Sequence, residues 1–360
     1  MKSFASLKAI FAAKLPIVNA ALDEFARQLA DEIAEEDSYT QTAITSYLSL
    51  LNRGGKRLRG MLVLTGYELY HGGSIKAAAQ AAAVIEACHA YMLVMDDVAD
   101  NSVQRRGGPA AHIQMGDFIT RHNPVAEASK KGVDMAETAA LYAQHKAQSI
   151  ILRLEHVPYK RRVLAMDILN DGLARTGIGQ LRDMSPVVNL TLDDILQIAT
   201  YKTAYYTFLL PLQVGAILAG AGQAELDRFE AYALHAGLAF QLHDDILGTF
   251  GDDSTTGKPN MSDIMEGKKT VLIAKTLAKV SREDKRTLLT ALGNPALKKD
   301  DFTACLNIIR RSGALAETRQ LATQYARKAE AALDHTPATW TPASVQFLRD
   351  LARYSVERDT

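Results

Sequence analysis

Residues 75–100 read IKAAAQAAAVIEACHAYMLVMDDVAD, and this stretch decides the fold. Good helix formers fill it, and its apolar residues recur at helical spacing. It closes on Asp96-Asp97-Val98-Ala99-Asp100, directly after the apolar run Met92 to Met95. Charges on such a background are costly unless they meet partners or metals. Residues four apart on a helix share a face, so Asp96 and Asp100 project together. His89 falls on that face too, about two turns earlier. A solvated acidic helix end is the plain alternative, but the apolar lead-in argues against it.

A second cluster, Asp244-Asp245-Ile246-Leu247-Gly248, has the same character. Gly237, Gln241, Asp244, Asp245 and Gly248 lie along one helical stripe, where the glycines would leave room for a ligand. Carboxylates facing each other across a helical cavity would suit Mg2+, which is usually held by one or two carboxylates plus substrate phosphates. Candidate phosphate-holding groups follow from the rest of the chain: Gly54-Gly55-Lys56-Arg57-Leu58-Arg59-Gly60, Arg105-Arg106-Gly107-Gly108, Gly257-Lys258 and Gly267-Lys268-Lys269-Thr270. Arg offers a planar fork to phosphate and Lys a point charge. Taken alone, each could be a solvated basic turn. Together they suit two anionic substrates, at least one bridged to the protein by metal. Lys202-Thr203 lies in an apolar, Tyr-rich segment. Its ammonium either meets an anion or snorkels to the surface, and nothing local decides between these. Glu86-x-x-His89 matches half of a di-iron helical site, but the sequence has no second half, which leaves an oxidoreductase reading poorly supported.

The wider composition allows this chemistry. The chain has 360 residues, 48% of them hydrophobic, enough for a large core. Its 41 basic and 41 acidic residues cancel, so no global field argues for nucleic acid. Two cysteines, Cys88 and Cys305, make no disulfide framework and suit the cytosol. The N-terminus reads as an amphipathic helix rather than a signal peptide, and the apolar stretches 77–95 and 207–222 are interrupted by polar residues or Pro, so no transmembrane segment is expected. Helical periodicity runs nearly throughout, and no strand alternation is sustained. It predicts helices over 17–36, 40–51, 57–70, 75–100, 112–121, 134–155, 159–183, 191–201, 203–220, 223–250, 269–278, 283–291, 300–312, 314–333 and 342–357. No linker rich in Pro, Gly or Ser divides them, so one all-α domain over residues 1–360 is expected.

In order, the motifs from Gly54 to Thr270 resemble the trans-isoprenyl diphosphate synthases, the polyprenyl synthetase family. GGKRLRG is similar to that family's GGKRxRP. CHAYMLVMDDVADNSVQRRGGPAAH is similar to its His-x6-DDxxD-x4-RRGxPxxH. GIGQLRD, YKTAYYT and FQLHDDILGTFGDDSTTGKPNMSDIMEGKKT follow its GQxxD, KT and second acidic segments. The resemblance implies a helical bundle around a central cavity, the isoprenoid synthase type I fold. It implies head-to-tail addition of isopentenyl diphosphate to an allylic diphosphate, with release of pyrophosphate. Carried over by position, Asp96 and Asp100 would bind two Mg2+ and Asp244 a third, with Asp97 and Asp245 in support. Arg105, Lys202 and Lys258 would hold the allylic diphosphate; Lys56, Arg59, His89 and Arg106 would hold isopentenyl diphosphate. Lys268 would close on pyrophosphate, while Thr203 and Gln241 would line the developing cation. Tyr91 and Met92, just before the first motif, would floor the chain pocket. A short product is implied, of twenty carbons in the first instance and fifteen next. A homodimer and a cytoplasmic enzyme are implied as well.

The sequence also departs from the family. Gly248 replaces the third Asp of the second motif, Gly60 a frequent Pro, and Met95 a frequent His; residues 132–147 lack a usual Gly-Asp pair. Two rival readings follow. A class I terpene cyclase would ionise an allylic diphosphate with similar acids, but has no need of the isopentenyl set. A non-catalytic partner subunit would have lost motif residues, and only Gly248 points that way.

Overall fold

The computed structural model describes residues 4–187, 190–251 and 261–358. The fold is all-α; the described strands are the two-residue pair Gln104–Arg105 and Gly108–Pro109. The chain divides into two compact units, Lys8–Leu169 with Pro211–Gly222, and Met1–Leu7 with Asn170–Leu210 and Gln223–Thr360. Their boundaries at Leu169 and Leu210 fall within helices, in keeping with the lack of a linker sequence.

In the Lys8–Leu169 unit, the helix Ile75–Ala99 packs against Leu58–Leu69 and Ala128–Arg153. Its Ala78, Ala81 and Ala82 are fully buried. These small side chains bring neighbouring backbones close, and glycines bring them closer. A Cβ on Gly66 would lie 2.3 Å from the Leu212 carbonyl oxygen, and one on Gly215 would lie 2.0 Å from that of Val63. The helices Leu58–Leu69 and Leu210–Ala219 therefore meet backbone to backbone. Tyr47, completely buried, donates its hydroxyl to the Ala87 carbonyl at 2.8 Å.

In the other unit the helix Arg228–Phe250 packs against Ala314–Ala332, Pro342–Glu357 and the segment Thr200–Leu209. Tyr232 bonds the Leu348 carbonyl at 2.8 Å, and Phe229 stacks on Trp340 at 5.0 Å. Ile264, Leu272, Leu288, Phe302 and Ile309 share a separate buried cluster.

Three local features differ from the sequence expectation. The first helix starts at Ala5, not residue 17, and runs through Pro16. Proline removes one helical hydrogen bond, and burial of Val18 and Leu22 beyond it outweighs that loss. The expected break near Lys202 is absent: Thr200–Leu209 continues the helix as a π-helical stretch, a form often found at functional sites. Gln104 to Pro109, outside the helices expected from sequence, forms a minimal antiparallel hairpin. Two helices, Ala5–Glu32 and Ile75–Ala99, are long and apolar enough to cross a membrane by composition; the second is mostly buried in the protein.

Gly215→Ala is expected to cost about 1–3 kcal/mol, because the added methyl has no space beside the Val63 carbonyl. Chemical denaturation measures this; an unshifted midpoint would contradict the close packing.

Candidate active site

The helix Ile75–Ala99 delivers the first acidic cluster at its C-terminal end. Asn101, at φ 52°, turns the chain left-handed. Ser102 N–H then bonds the Asp97 carbonyl at 2.8 Å and Asn101 N–H that of Val98 at 3.2 Å, which caps the helix end. Asp97 is fully buried, whereas the Asp96 side chain is 23% exposed and Asp100 is half-buried. Arg105 answers the buried charge: its Nε donates to Asp97 Oδ1 at 2.6 Å, and its guanidinium lies 3.6 Å from Asp96. Burial opposes the charge on Arg105, but Asp97, then Asp96 and Asp100, outweigh it and hold the guanidinium above its ordinary value.

Arg105 and Arg106 ride on the hairpin. Arg106 and Gly107 both have positive φ, 51° and 72°, as its two-residue turn requires. Arg53 fixes the hairpin by donating to the carbonyls of Arg105 at 3.1 Å and Pro109 at 2.7 Å. Arg106 reaches back to Gly55, whose Cβ would lie 3.4 Å from its guanidinium. The Gly54–Gly60 turn is set from below by buried Glu86, which accepts the Gly60 N–H at 2.9 Å and lies 3.7 Å from Arg57. Glu86 thus anchors a turn and is no half of an iron site. Gly60 also fits for want of space, since a Cβ there would lie 2.8 Å from Val18. Arg57, buried at φ 49°, is held by the Leu51 carbonyl at 2.6 Å and Asn19 at 3.2 Å. His89 stands among these cations. Burial first, then Arg59, Arg106, Arg105 and Arg57, drive its imidazole well below its usual range, so it is neutral at pH 7. Burial and Arg57 bring Arg106 down to about 10, still charged at neutral pH. The turn, His89 and the hairpin thus concentrate positive charge as an anion site would. Lys56 is exposed on the turn; Tyr91 and Met92 are half-buried on the helix.

The second cluster belongs to the other unit. Asp244 is open, its side chain 49% exposed, and accepts from Arg358 at 2.6 Å. Asp245 is buried and accepts from Gln241 Nε2 at 2.7 Å. Gln241 Oε1 in turn accepts the Thr203 hydroxyl at 2.6 Å. Burial, with Asp263 next, pushes the Asp245 carboxyl up to about 8. Lys268 bonds Asp263 and lies 3.1 Å from Glu266. Burial works against its charge, but those two carboxylates hold it well above its ordinary value. Lys202, undecided from sequence, meets Asp183 at 2.7 Å, and Lys269 donates to the Asp183 carbonyl at 2.9 Å. Lys258 lies outside the described residues.

The glycines of the second stripe do not hold space for a ligand. Gly237 receives Ala204, whose Cα would lie 2.3 Å from an added Cβ, and Gly248 receives the Asp263 carboxylate, 2.0 Å from one. The space beside Gly248 is therefore filled by a carboxylate from elsewhere in the chain. Sequence reasoning did not place Asp263 beside Gly248, and it passed over Arg53 and Arg358 altogether. Gly248 was the one signal that could have found Asp263, because a bare position invites a neighbour.

Among the described residues no cluster of three or more His, Cys, Asp or Glu side chains forms a metal cage. The residues present fit a hard cation in another way. Asp96, Asp100 and Asp244 are open or half-open carboxylates with cationic side chains nearby, as suits Mg2+ completed by phosphate oxygens.

Comparison with solved structures defines the class. The structure superposes on a geranylgeranyl pyrophosphate synthase from Corynebacterium glutamicum, complexed with isoprenyl diphosphate and magnesium, with TM-score 0.89 and 29% identity over 95% of this chain and 98% of that one. A polyprenyl synthase from Caulobacter crescentus, complexed with calcium and isoprenyl diphosphate, gives TM-score 0.81 and 27% identity over 99% and 98%. The fold is that of the isoprenyl diphosphate synthases, and the protein is a prenyltransferase. Residues 41–309 match the polyprenyl synthetase family, and the chain belongs to it. A geranylgeranyl diphosphate synthase from Saccharolobus solfataricus is 32% identical over 86% of this chain and 88% of its own. A geranylfarnesyl diphosphate synthase from Aeropyrum pernix is 31% identical over 86% and 92%.

Gly248→Asp is expected to destabilise the protein more than Gly248→Ala, by about 1–3 kcal/mol, since a second carboxylate would compete for the space that Asp263 fills. Thermal unfolding without metal tests it; a Gly248→Asp protein as stable as wild type would contradict the packing.

Proposed function

We propose that the protein condenses isopentenyl diphosphate head-to-tail with an allylic diphosphate, in a Mg2+-dependent reaction that yields a short-chain trans-prenyl diphosphate and pyrophosphate. Geranylgeranyl diphosphate is the favoured product and farnesyl diphosphate the next. The observation that carries this reading is the cation cluster around neutral His89. A terpene cyclase needs only the diphosphate that its acids bind through metal. This chain adds a second basic group, and a condensing enzyme needs one for its second substrate. The acidic and basic motif residues also weigh against a non-catalytic subunit.

In this reading Lys56, Arg59, His89 and Arg106 hold isopentenyl diphosphate. His89, being neutral, serves by donating a hydrogen bond rather than by charge. Arg105, Lys202 and Lys258 hold the allylic diphosphate, and Lys268 closes on the pyrophosphate. Asp96 and Asp100 would hold two Mg2+ and Asp244 a third, with Asp97 and Asp245 in support. Bound metal supplies positive charge to the departing diphosphate. Breaking the allylic C–O bond leaves its electron pair on pyrophosphate and a delocalised cation behind. Fixed cations stabilise that leaving charge without reorganising, and the oxygens of Thr203 and Gln241 face the cation. The alkene of isopentenyl diphosphate attacks, and the pyrophosphate takes the proton that is lost. Tyr91 and Met92 limit the chain length. We read residues 1–360 as one catalytic domain, working as a homodimer in the cytoplasm.

Asp96→Ala and Asp244→Ala should each lower kcat at least about a hundredfold with the fold retained, and EDTA should abolish turnover until Mg2+ is restored. Pyrophosphate release in the presence of both substrates measures this, and undiminished rates would overturn the reading. Tyr91→Ala should lengthen the product; chromatographic sizing that finds the same chain would remove Tyr91 from the pocket.

A further inference from the structure

One side chain closes the C-terminal end of the helix Tyr159–Met184. Lys269 Nζ donates to the Asp183 carbonyl at 2.9 Å, to that of Arg182 at 3.5 Å, and to that of Ser185. We propose that Lys269 is a positioning residue: by closing this helix end it fixes Asp183, and Asp183 fixes the Lys202 ammonium. This rests on the prenyl-transfer reading, in which Lys202 holds the allylic diphosphate.

This helix end needs a donor from outside. The last carbonyls of a helix have no partner within it. A further turn would offer the Arg182 carbonyl the N–H of residue 186, and Pro186 has none. Ser185 N–H turns back to Arg182 at 3.3 Å, and Val187 N–H goes to the Ser185 hydroxyl at 3.4 Å, so both are engaged away from the Asp183 carbonyl. An ammonium has three donors. Here three carbonyls meet it, and its charge sits at the negative end of the helix dipole. Along the sequence Lys269 is grouped with Lys268 as a candidate for phosphate, but in the fold the two part. Lys268 turns to Asp263 and Glu266, and Lys269 to the helix end.

Asp183 carries the effect to Lys202. Its carboxylate accepts from Lys202 Nζ at 2.7 Å, and both side chains are half-buried. The backbone explains why they meet. Gly179 lies four residues before Asp183 and shares its face. A Cβ on Gly179 would lie 2.6 Å from the Lys202 backbone nitrogen. The helix and the segment Thr200–Leu209 therefore touch one turn before Asp183, which leaves the carboxylate beside the Lys202 ammonium. That juxtaposition holds only while the last turn stays wound. If the turn frays, Asp183 leaves the face that Gly179 brings to Lys202. Three carbonyl bonds from one ammonium keep it wound.

Hydrogen exchange read by mass spectrometry on the substrate-free, full-length protein tests the closure, and steady-state kinetics test its consequence. Lys269→Met keeps an apolar stem and removes the donors. Amides of residues 182–185 should then exchange at least about tenfold faster, while those of Arg228–Phe250 stay within about twofold. The allylic kcat/KM should fall about tenfold, with KM for isopentenyl diphosphate within about twofold of wild type. Lys269→Arg keeps the charge and several donors and should recover most of both losses. Asp183→Asn should lower the allylic kcat/KM to a similar degree. Adding Lys269→Met to it should cost less than about twofold more, because both act through one ion pair. The proposal is overturned if exchange at the helix end is unchanged, or if Lys269→Arg is as impaired as Lys269→Met. It is overturned equally if the two losses multiply in the double variant, as they would were Lys269 itself a diphosphate ligand. Should Lys269→Met not fold, Lys269→Gln takes its place with the same expectations. Wild-type enzyme that consumes no isopentenyl diphosphate would instead remove the prenyl-transfer reading, and the exchange data would still decide whether Lys269 holds the helix end.

Discussion

Carboxylates gathered in an apolar helical interior must be neutralised, and this constraint shapes both acidic clusters. An isolated buried charge is too costly to keep. Here the ion pairs are specific. Asp97 is met by Arg105, Glu86 by Arg57, Asp263 by Lys268 and Asp183 by Lys202. Removing one partner from a buried pair usually costs about 3–5 kcal/mol, because the other charge is left stranded. The basic residues therefore hold the acids in the folded protein.

These pairs also sort the acids. Asp97 and Asp245 are buried and committed to protein partners, while Asp96 and Asp244 beside them remain open to solvent. Each Asp-Asp pair thus divides into one buried carboxyl and one more exposed carboxylate. Helical geometry explains the division, since neighbours in sequence point about 100° apart around the helix axis and only one can face the interior. In the second cluster the interior neighbour extends further, into Gln241 and Thr203.

Close packing of small residues is the second constraint. Gly66, Gly215 and Gly237 let helices meet at backbone distance, and Gly248 accepts the Asp263 carboxylate. A glycine on a functional stripe suggests an opening for a ligand when read as sequence. In the folded protein the opening is filled by another part of the same chain. Nothing local in the sequence distinguishes the two cases.

The sequence by itself determined the helical class, most helix positions, both acidic clusters and the basic groups, because helical periodicity and charge on an apolar background are local properties. It also carried the family resemblance, from Gly54 to Thr270. It could not assign Glu86, Lys202 or Gly248, since their roles depend on residues distant along the chain. Tertiary structure decided that Glu86 anchors the Gly54–Gly60 turn, that Lys202 meets Asp183, and that the Asp263 carboxylate fills the space beside Gly248. It also brought in Arg53 and Arg358, which no motif had singled out, and gave Arg57 its partners in Leu51 and Asn19. The physical reason is that a charge's partner is fixed by distance in space and by burial, and neither is written in the spacing of residues along one helix.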